Sequence, residues 1–204
     1  MLKTFQSLLH GNFSFLKESR LLVAVSGGLD SMVLVDLCLK LDLNIYLAHC
    51  NFNLRGKESE EDESFVKELA EKYQLKIHVK QFDTEGYATE NKISTQMAAR
   101  DLRYAWFEKL RIKSNAKYLA IAHHANDDVE TFFINLVRGS GLKGFLGIKE
   151  KNNAIVRPLL SVSRLEIEQY LKDRGLVFRE DSSNASVKYL RNKIRHELIP
   201  LLAQ

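Results

Sequence analysis

The segment 23-VAVSGGLDSMVLV-35 sets Ser26, Gly27, Gly28, Leu29, Asp30 and Ser31 between two apolar runs. Adjacent glycines let a backbone take positive φ values and come close to a ligand. At a junction of strand and helix they aim the helix's unpaired N–H groups and positive dipole end at one point, which suits phosphate. Ser26 and Ser31 add hydroxyl donors, and Asp30 can hold a metal ion that bridges phosphates. No Gly-Lys-Ser/Thr closes the segment, so it is not a Walker P-loop. A tight turn alone would account for the glycines but not for the hydroxyls and carboxylate around them.

Three more groups carry chemistry. HCNFNLR supplies His49, Asn51, Asn53 and Arg55, and AARDLRY puts Arg100 and Arg103 three apart on one helix face beside Tyr104. AHHANDDVET contributes His123, His124, Asn126, Asp127, Asp128 and Glu130. Asp127 and Glu130 are one helical turn apart and can face one ligand. Each group has a plain structural reading as well. His49 fits a satisfied core histidine, the arginines fit surface ion pairs, and Asp127 fits a helix cap. Zinc is not supported, because no His-Glu-x-x-His or third-ligand spacing is present.

The elements that must position these residues alternate. Strand-like runs cover 21–26, 45–50, 76–82 and 118–123, and helical apolar spacing covers SMVLVDLCLKL, ESFVKELAEKY, QMAARDLRYAWFEKL and NDDVETFFINLVR. This order predicts an α/β fold: a doubly wound, mainly parallel sheet with helices on both faces and ligands at the strand C-termini. All the groups above then share one edge. AIVRPLL reads as an extended piece, and SRLEIEQYLKDRG as a helix with Ser163 as N-cap and Gly175 past its end. The tail YLRNKIRHELIPLLAQ reads as a short helical C-terminal extension broken near Pro200. Gly139, Gly141 and Gly144 match G-x-G-x-x-G, but they follow a helix, so a mobile loop beside the site is the better reading.

Composition excludes several classes. The chain has 204 residues, 45% hydrophobic and 27% charged, as in a globular protein with a sizeable core. No apolar run is of membrane-spanning length, and the N-terminus lacks a signal-peptide core. Cys38 and Cys50 are unclustered, which fits reduced thiols in a cytoplasmic protein. Residues 1–137 hold 17 Lys and Arg against 19 Asp and Glu, whereas residues 138–204 hold 13 against 7. The basic final third suits a polyanionic partner, or else a solvated face.

Ser26–Ser31 resembles the pyrophosphate loop of the ATP pyrophosphatase superfamily, whose members split ATP between its α and β phosphates and transfer AMP to a substrate oxygen. Taken with His49–Arg55, Ala99–Tyr104, Ala122–Thr131, Arg138–Gly141, Arg157–Leu160, Asp181–Asn184 and Arg191–His196, the chain from Leu21 to Pro200 resembles the tRNA(Ile)-lysidine synthetase family. It departs at Asn53, where that family often has histidine, and at Asn126, where aspartate is common; no acid–base role is assigned to Asn53.

The resemblance implies an adenine nucleotide alpha hydrolase-like fold. Residues 1–150 would be the nucleotide-binding catalytic domain, and 151–204 its remainder with a helical tail, in a short natural form or a fragment without the family's C-terminal tRNA-binding domains. It implies ATP and Mg2+, with Ser26, Gly27, Gly28, Leu29, Asp30 and Ser31 on the phosphates and Mg2+ at Asp30. Arg103 would neutralise charge on the α-phosphate. Asp127 and Glu130 would receive free L-lysine, with Asp127 as base. His49, Arg55, Arg100, Arg191 and Arg195 would contact tRNA or nucleotide. The implied reaction joins lysine to carbon 2 of the wobble cytidine of tRNA(Ile) with anticodon CAU. Rival readings are a tRNA thiolase that shares the loop, an amidotransferase-linked synthetase, and an ATP-sensing module without turnover. Oligomeric state stays open, a homodimer included.

Overall fold

The computed structural model describes residues 1–141, 146–180 and 190–202. Gly144 and the Asp181–Asn184 motif lie outside them. Six strands form one sheet: β1 (Leu21–Ala24), β2 (Ile45–Asn51), β3 (Ile77–Gln81), β4 (Tyr118–Ala120), β5 (Lys151–Asn152) and β6 (Ile155–Val156), in the order β3-β2-β1-β4-β6-β5. Every neighbouring pair is parallel except β5 with β6. The winding reverses beside β1, which has β2 on one side and β4 on the other. The crevice outside the carboxyl ends of β1 and β4 is therefore the topological switch point, where such sheets take ligands.

The centre of the sheet is apolar on both faces, as a parallel strand under two helical layers requires. Leu21 and Val23 of β1 enter one core, while Leu22 enters a second with Ala48, Phe107, Leu110 and Leu119. The larger core also takes residues from α1 (Leu2–His10), α2 (Leu29–Lys40), α3 (Lys57–Lys72) and α7 (Arg164–Arg174). α5 (Thr95–Lys113) covers the opposite face through Phe107 and Leu110. α2 buries residues around most of its circumference, Asp36 among them. The Asp36 carboxylate accepts from Tyr170 Oη at 2.7 Å and Arg174 Nε at 3.2 Å, which ties α2 to α7. Because β6 pairs with β4 and α7 packs on α2, residues 151–174 belong to the same sheet and core.

β1, β3 and β4 are shorter than the runs read for them, while β2 extends one residue further, to Asn51. Val25–Ser26 and Ile121–His123 leave the sheet at the switch point, although Val25 N–H still bonds Ala48 O and Ile121 N–H still bonds Val156 O. α1, α4 (Thr84–Asn91) and the β5–β6 pair were not expected. α1 buries only Phe5 and Leu9, one turn apart, and α4 rests on its cap, Asp83, which accepts from Gly86 N–H at 2.9 Å. The tail also departs from expectation. It is α-helical over Leu190–Lys193 and Ile199–Leu202 and π-helical over Ile194–Leu198. The helix therefore does not stop near Pro200. The wider turn precedes the proline, which then occupies a first-turn position where its missing N–H costs little.

Candidate functional site

β1 ends into a loop that α2 receives. Gly27 takes φ +89°, and a Cβ there would come within 3.2 Å of Phe65 Cδ1, so the position needs glycine on both counts. Gly28 is the N-cap of α2 in an extended conformation, and no side chain caps that end. The two hydroxyls brace the loop: Ser31 Oγ donates to Gly28 O at 2.8 Å, and Ser26 N–H and Gly28 N–H donate to Ser31 Oγ and Ser26 Oγ, both at 3.2 Å. A buried histidine supports the strand end from beneath. His49, 4% exposed, bonds the Val25 carbonyl through Nδ1 at 2.9 Å; a carbonyl only accepts, so Nδ1 carries the proton. Burial lowers the His49 pKa, against its bond to Val25, and keeps the ring neutral. His49 thus lies below the functional edge, in the place of a satisfied core histidine.

Across the switch point, β4 leads through His123 and His124 into α6 (Ala125–Val137). Asp127 Oδ2 accepts from His124 N–H at 3.0 Å, which locks the acid at the helix start. Glu130, on the next turn, is 1% exposed. The two carboxylates are brought together as their spacing predicts, and the basic tail meets them. Arg191 reaches Asp127 Oδ1 at 3.1 Å and Glu130 Oε2 at 2.7 Å, and Arg195 reaches Glu130 Oε2 at 3.0 Å. Ile194 is buried between the two arginines, so the tail is amphipathic with its cations turned inward.

His124 connects the acids to the loop: its Nε2 is 3.7 Å from Asp30 Oδ1 and 3.6 Å from Asp127 Oδ2. His123 is fixed by Arg157, a residue with no role assigned from its local pattern. Arg157 Nε donates to His123 Nδ1 at 2.9 Å, which leaves the proton on Nε2. Burial lowers the His123 pKa to about 4; the Asp127 charge opposes this, while Arg157, Arg191 and Arg100 add to it.

The remaining arginines are spread along the edge. Arg55 pairs with Asp62 at 2.6 Å, and Arg179 Nε holds the same carboxylate at 3.0 Å while its N–H bonds Gly27 O at 2.9 Å. Arg100 lies over the Tyr104 ring, 5.0 Å from its centroid, and Arg103 over the Phe52 ring at 5.1 Å; both are exposed. Sequence reasoning singled out neither Arg164 nor Arg179, because a lone arginine at a helix start or in a loop has no pattern to mark it. Gly139 closes the end of α6: at φ +66°, its N–H bonds Leu136 O at 3.0 Å.

Ser26, Gly28, Asp30, Glu130, Arg164 and Arg195 line one cleft of about 1120 Å³. Its donors and size fit a polyphosphate with an organic body. Burial raises the Asp30 pKa, opposed by the charges of His124 and Arg164. Among the described residues no group of three His, Cys, Asp or Glu side chains is placed to hold a metal by itself. A lone carboxylate at a phosphate loop fits Mg2+, which takes one or two carboxylates together with substrate phosphates. Burial pushes the Cys38 and Cys50 thiols up to about 12, so neither is a thiolate near neutrality.

A PP-loop domain model matches residues 1–202. This chain belongs to the PP-loop family. The PP-loop chain is 50% identical over 190 residues to the tRNA(Ile)-lysidine synthase of Bacteroides thetaiotaomicron, covering 93% of this chain and 45% of that protein. It is 38% identical to the tRNA(Ile)-lysidine synthase of Chlorobaculum tepidum, covering 99% and 62%. It thus spans less than two thirds of these relatives' length. Among solved structures it is similar to the U34-tRNA thiolase NcsA of Methanococcus maripaludis, with a TM-score of 0.77, 18% identity, and 99% and 72% coverage. It also resembles the NH3-dependent NAD synthetase of Campylobacter jejuni, with a TM-score of 0.57, 17% identity, and 99% and 80% coverage. These likenesses establish the PP-loop fold and its mainly parallel sheet. Among the described residues no helix is long and apolar enough to cross a membrane.

Proposed function

We propose that this chain is the nucleotide-binding catalytic part of a cytoplasmic tRNA(Ile)-lysidine synthase. It would use ATP and L-lysine to convert the wobble cytidine of tRNA(Ile) to lysidine. The observation that supports this best is the single cleft bounded by the PP-loop on one wall and Glu130, with Asp127 beside it, on the other. In the first step the carbonyl oxygen at carbon 2 of cytidine attacks the α-phosphorus, the bond to the β-phosphate breaks, and pyrophosphate leaves. Gly27, Gly28 and the first N–H groups of α2 receive the phosphates, and Arg103 meets charge that develops on the α-phosphate. Asp30 would hold Mg2+ against the phosphates, and that ion would neutralise the departing pyrophosphate.

In the second step the ε-nitrogen of lysine bonds carbon 2, and the carbon–oxygen bond breaks to release AMP. The amine arrives as an ammonium. Asp127 and Glu130 attract it, and Asp127 takes the proton that it must shed. Those acids hold Arg191 and Arg195 in this structure, so the amine exchanges with guanidinium groups that already mark the site as one for cations. Arg55, Arg100 and the tail are the candidate contacts to the anticodon region. A thiolase reading is disfavoured by the two protonated thiols, Cys38 buried and Cys50 half-buried. The test is mass spectrometry of the wobble base after incubation with ATP, lysine and tRNA(Ile): a gain of lysine supports the reading, and an unmodified cytidine with the full-length protein rejects it. An ATP sensor would release no pyrophosphate in the same assay.

A further inference from the structure

Arg164, the first residue of α7, reaches 134 residues back to the PP-loop. Its Nη1 lies 3.1 Å from each oxygen of Asp30, and its Nε bonds Glu168 Oε1 at 2.8 Å. Its own N–H is fixed by Asn126 Oδ1 at 3.0 Å, so the α6 segment that carries Asp127 also sets where α7 begins. The guanidinium has five donors. Nη2 has no hydrogen-bond partner among the described residues, and the side chain, 37% exposed, lines the cleft with Ser26, Gly28 and Asp30.

That placement settles a problem of charge. Asp30 stands at the positive end of α2, where a phosphate is also meant to sit, and the unpaired carboxylate would repel it. Arg164 cancels that charge with one nitrogen and keeps another for the anion. We propose that Arg164 is a ligand of the β and γ phosphates, poised on Asp30 in the cleft and bridging carboxylate and polyphosphate when nucleotide enters. This rests on the reading of the PP-loop as an ATP site and adds a binding residue to it from a different helix. Arg164 bonds the loop through a side chain alone, whereas Arg179 bonds Gly27 through its backbone and turns its guanidinium toward Glu61 and Asp62. Of these two arginines, Arg164 is therefore the one whose guanidinium keeps a donor for the phosphates.

The test is calorimetric titration of the protein with ATP, pyrophosphate and AMP, each with Mg2+, in the parent and in Arg164→Ala, Arg164→Lys and Glu168→Gln. The expected result is ATP and pyrophosphate binding weakened roughly 10- to 100-fold in Arg164→Ala, as for loss of a hydrogen bond to a charged group. AMP should be unaffected, Arg164→Lys should recover part of the loss, and Glu168→Gln should bind ATP within about twofold of the parent. Unchanged or tighter ATP binding in Arg164→Ala overturns the proposal, since the arginine then only plugs the loop. Equal weakening of all three ligands, or a matching loss in Glu168→Gln, overturns it too, because both describe a displaced α7. A parent protein that fails to bind ATP rejects the nucleotide reading itself and this inference with it.

Discussion

Arg191 Nε and Glu130 Oε2 stand 2.7 Å apart, joining residues 61 positions distant in the chain, and Arg195 holds the same carboxylate. Glu130 is the most enclosed acid among the described residues, at 1% exposure, and two arginines of the tail face its charge. Glu130→Gln keeps the shape but faces two guanidinium groups with an amide. The expected cost is about 1–3 kcal/mol, below the ~3–5 kcal/mol of a fully buried pair because both arginines are partly exposed. Urea unfolding measures it. A variant as stable as the parent would mean that the tail contributes nothing to the fold.

The two loop glycines should not respond alike. Gly27 sits at φ +89° with Phe65 behind it, whereas Gly28 is extended and would set a Cβ 3.3 Å from the flexible end of Ser26. Gly27→Ala is expected to lose about 1–2 kcal/mol from backbone handedness alone, with ATP binding lost as the loop shifts. Gly28→Ala should fold nearly as well as the parent and bind ATP more weakly, because the new methyl group stands where phosphate approaches. Thermal melting with and without ATP separates the two effects.

How much of this was legible depends on whether a residue acts through local pattern or through distant partners. The continuous apolar run of β1 and the Ser-Gly-Gly turn are local, and they put Ser26–Ser31 at the switch point. Asp127 and Glu130 share a helix face, which their spacing states outright. Ser163 and Gly175 bound α7 as read, with Ser163 Oγ accepting from Glu166 N–H and Gly175 at φ +59°. By contrast, Arg157, Arg164 and Arg179 gain their meaning from partners 34, 134 and 117 residues away. No local rule reaches so far. The inward turn of Arg191 and Arg195 was hidden for the same reason, since a basic amphipathic helix reads equally as an RNA-facing surface.

Acid should weaken the fold within a window set by His123. In the unfolded chain its pKa is 6.5, and burial holds it at about 4 in the folded state. The unfolded state therefore takes up a proton first, and stability falls as pH drops from 6.5 toward 4. Above 6.5 both states are neutral and the term vanishes. Glu63 acts lower down: burial would raise it, but hydrogen bonds from Lys67, Gln81 and Asn51 prevail and hold it at about 2 from 4.5. Its contribution is present above 4.5 and is lost as pH falls toward 2. Unfolding free energy measured against pH should show the upper window diminished in His123→Gln and the lower one kept; identical profiles in parent and variant would exclude His123 as the source.

In the proposed reaction Asp127 and the loop serve different steps, and a substitution can divide them. Asp127→Asn preserves size and still accepts from His124 N–H through its carbonyl oxygen, so the start of α6 should hold. On the proposed reading it removes the base that deprotonates the lysine ammonium, an effect of about 10²- to 10⁴-fold on lysidine formation. Adenylation of the cytidine needs no proton from the amine, so tRNA-dependent pyrophosphate release without lysine should persist within a few-fold of the parent. Parallel assays of pyrophosphate release and lysine incorporation read the two steps separately. If both fall together, Asp127 acts by holding the cleft closed around the nucleotide, through His124 and Arg191, and the base must be sought elsewhere.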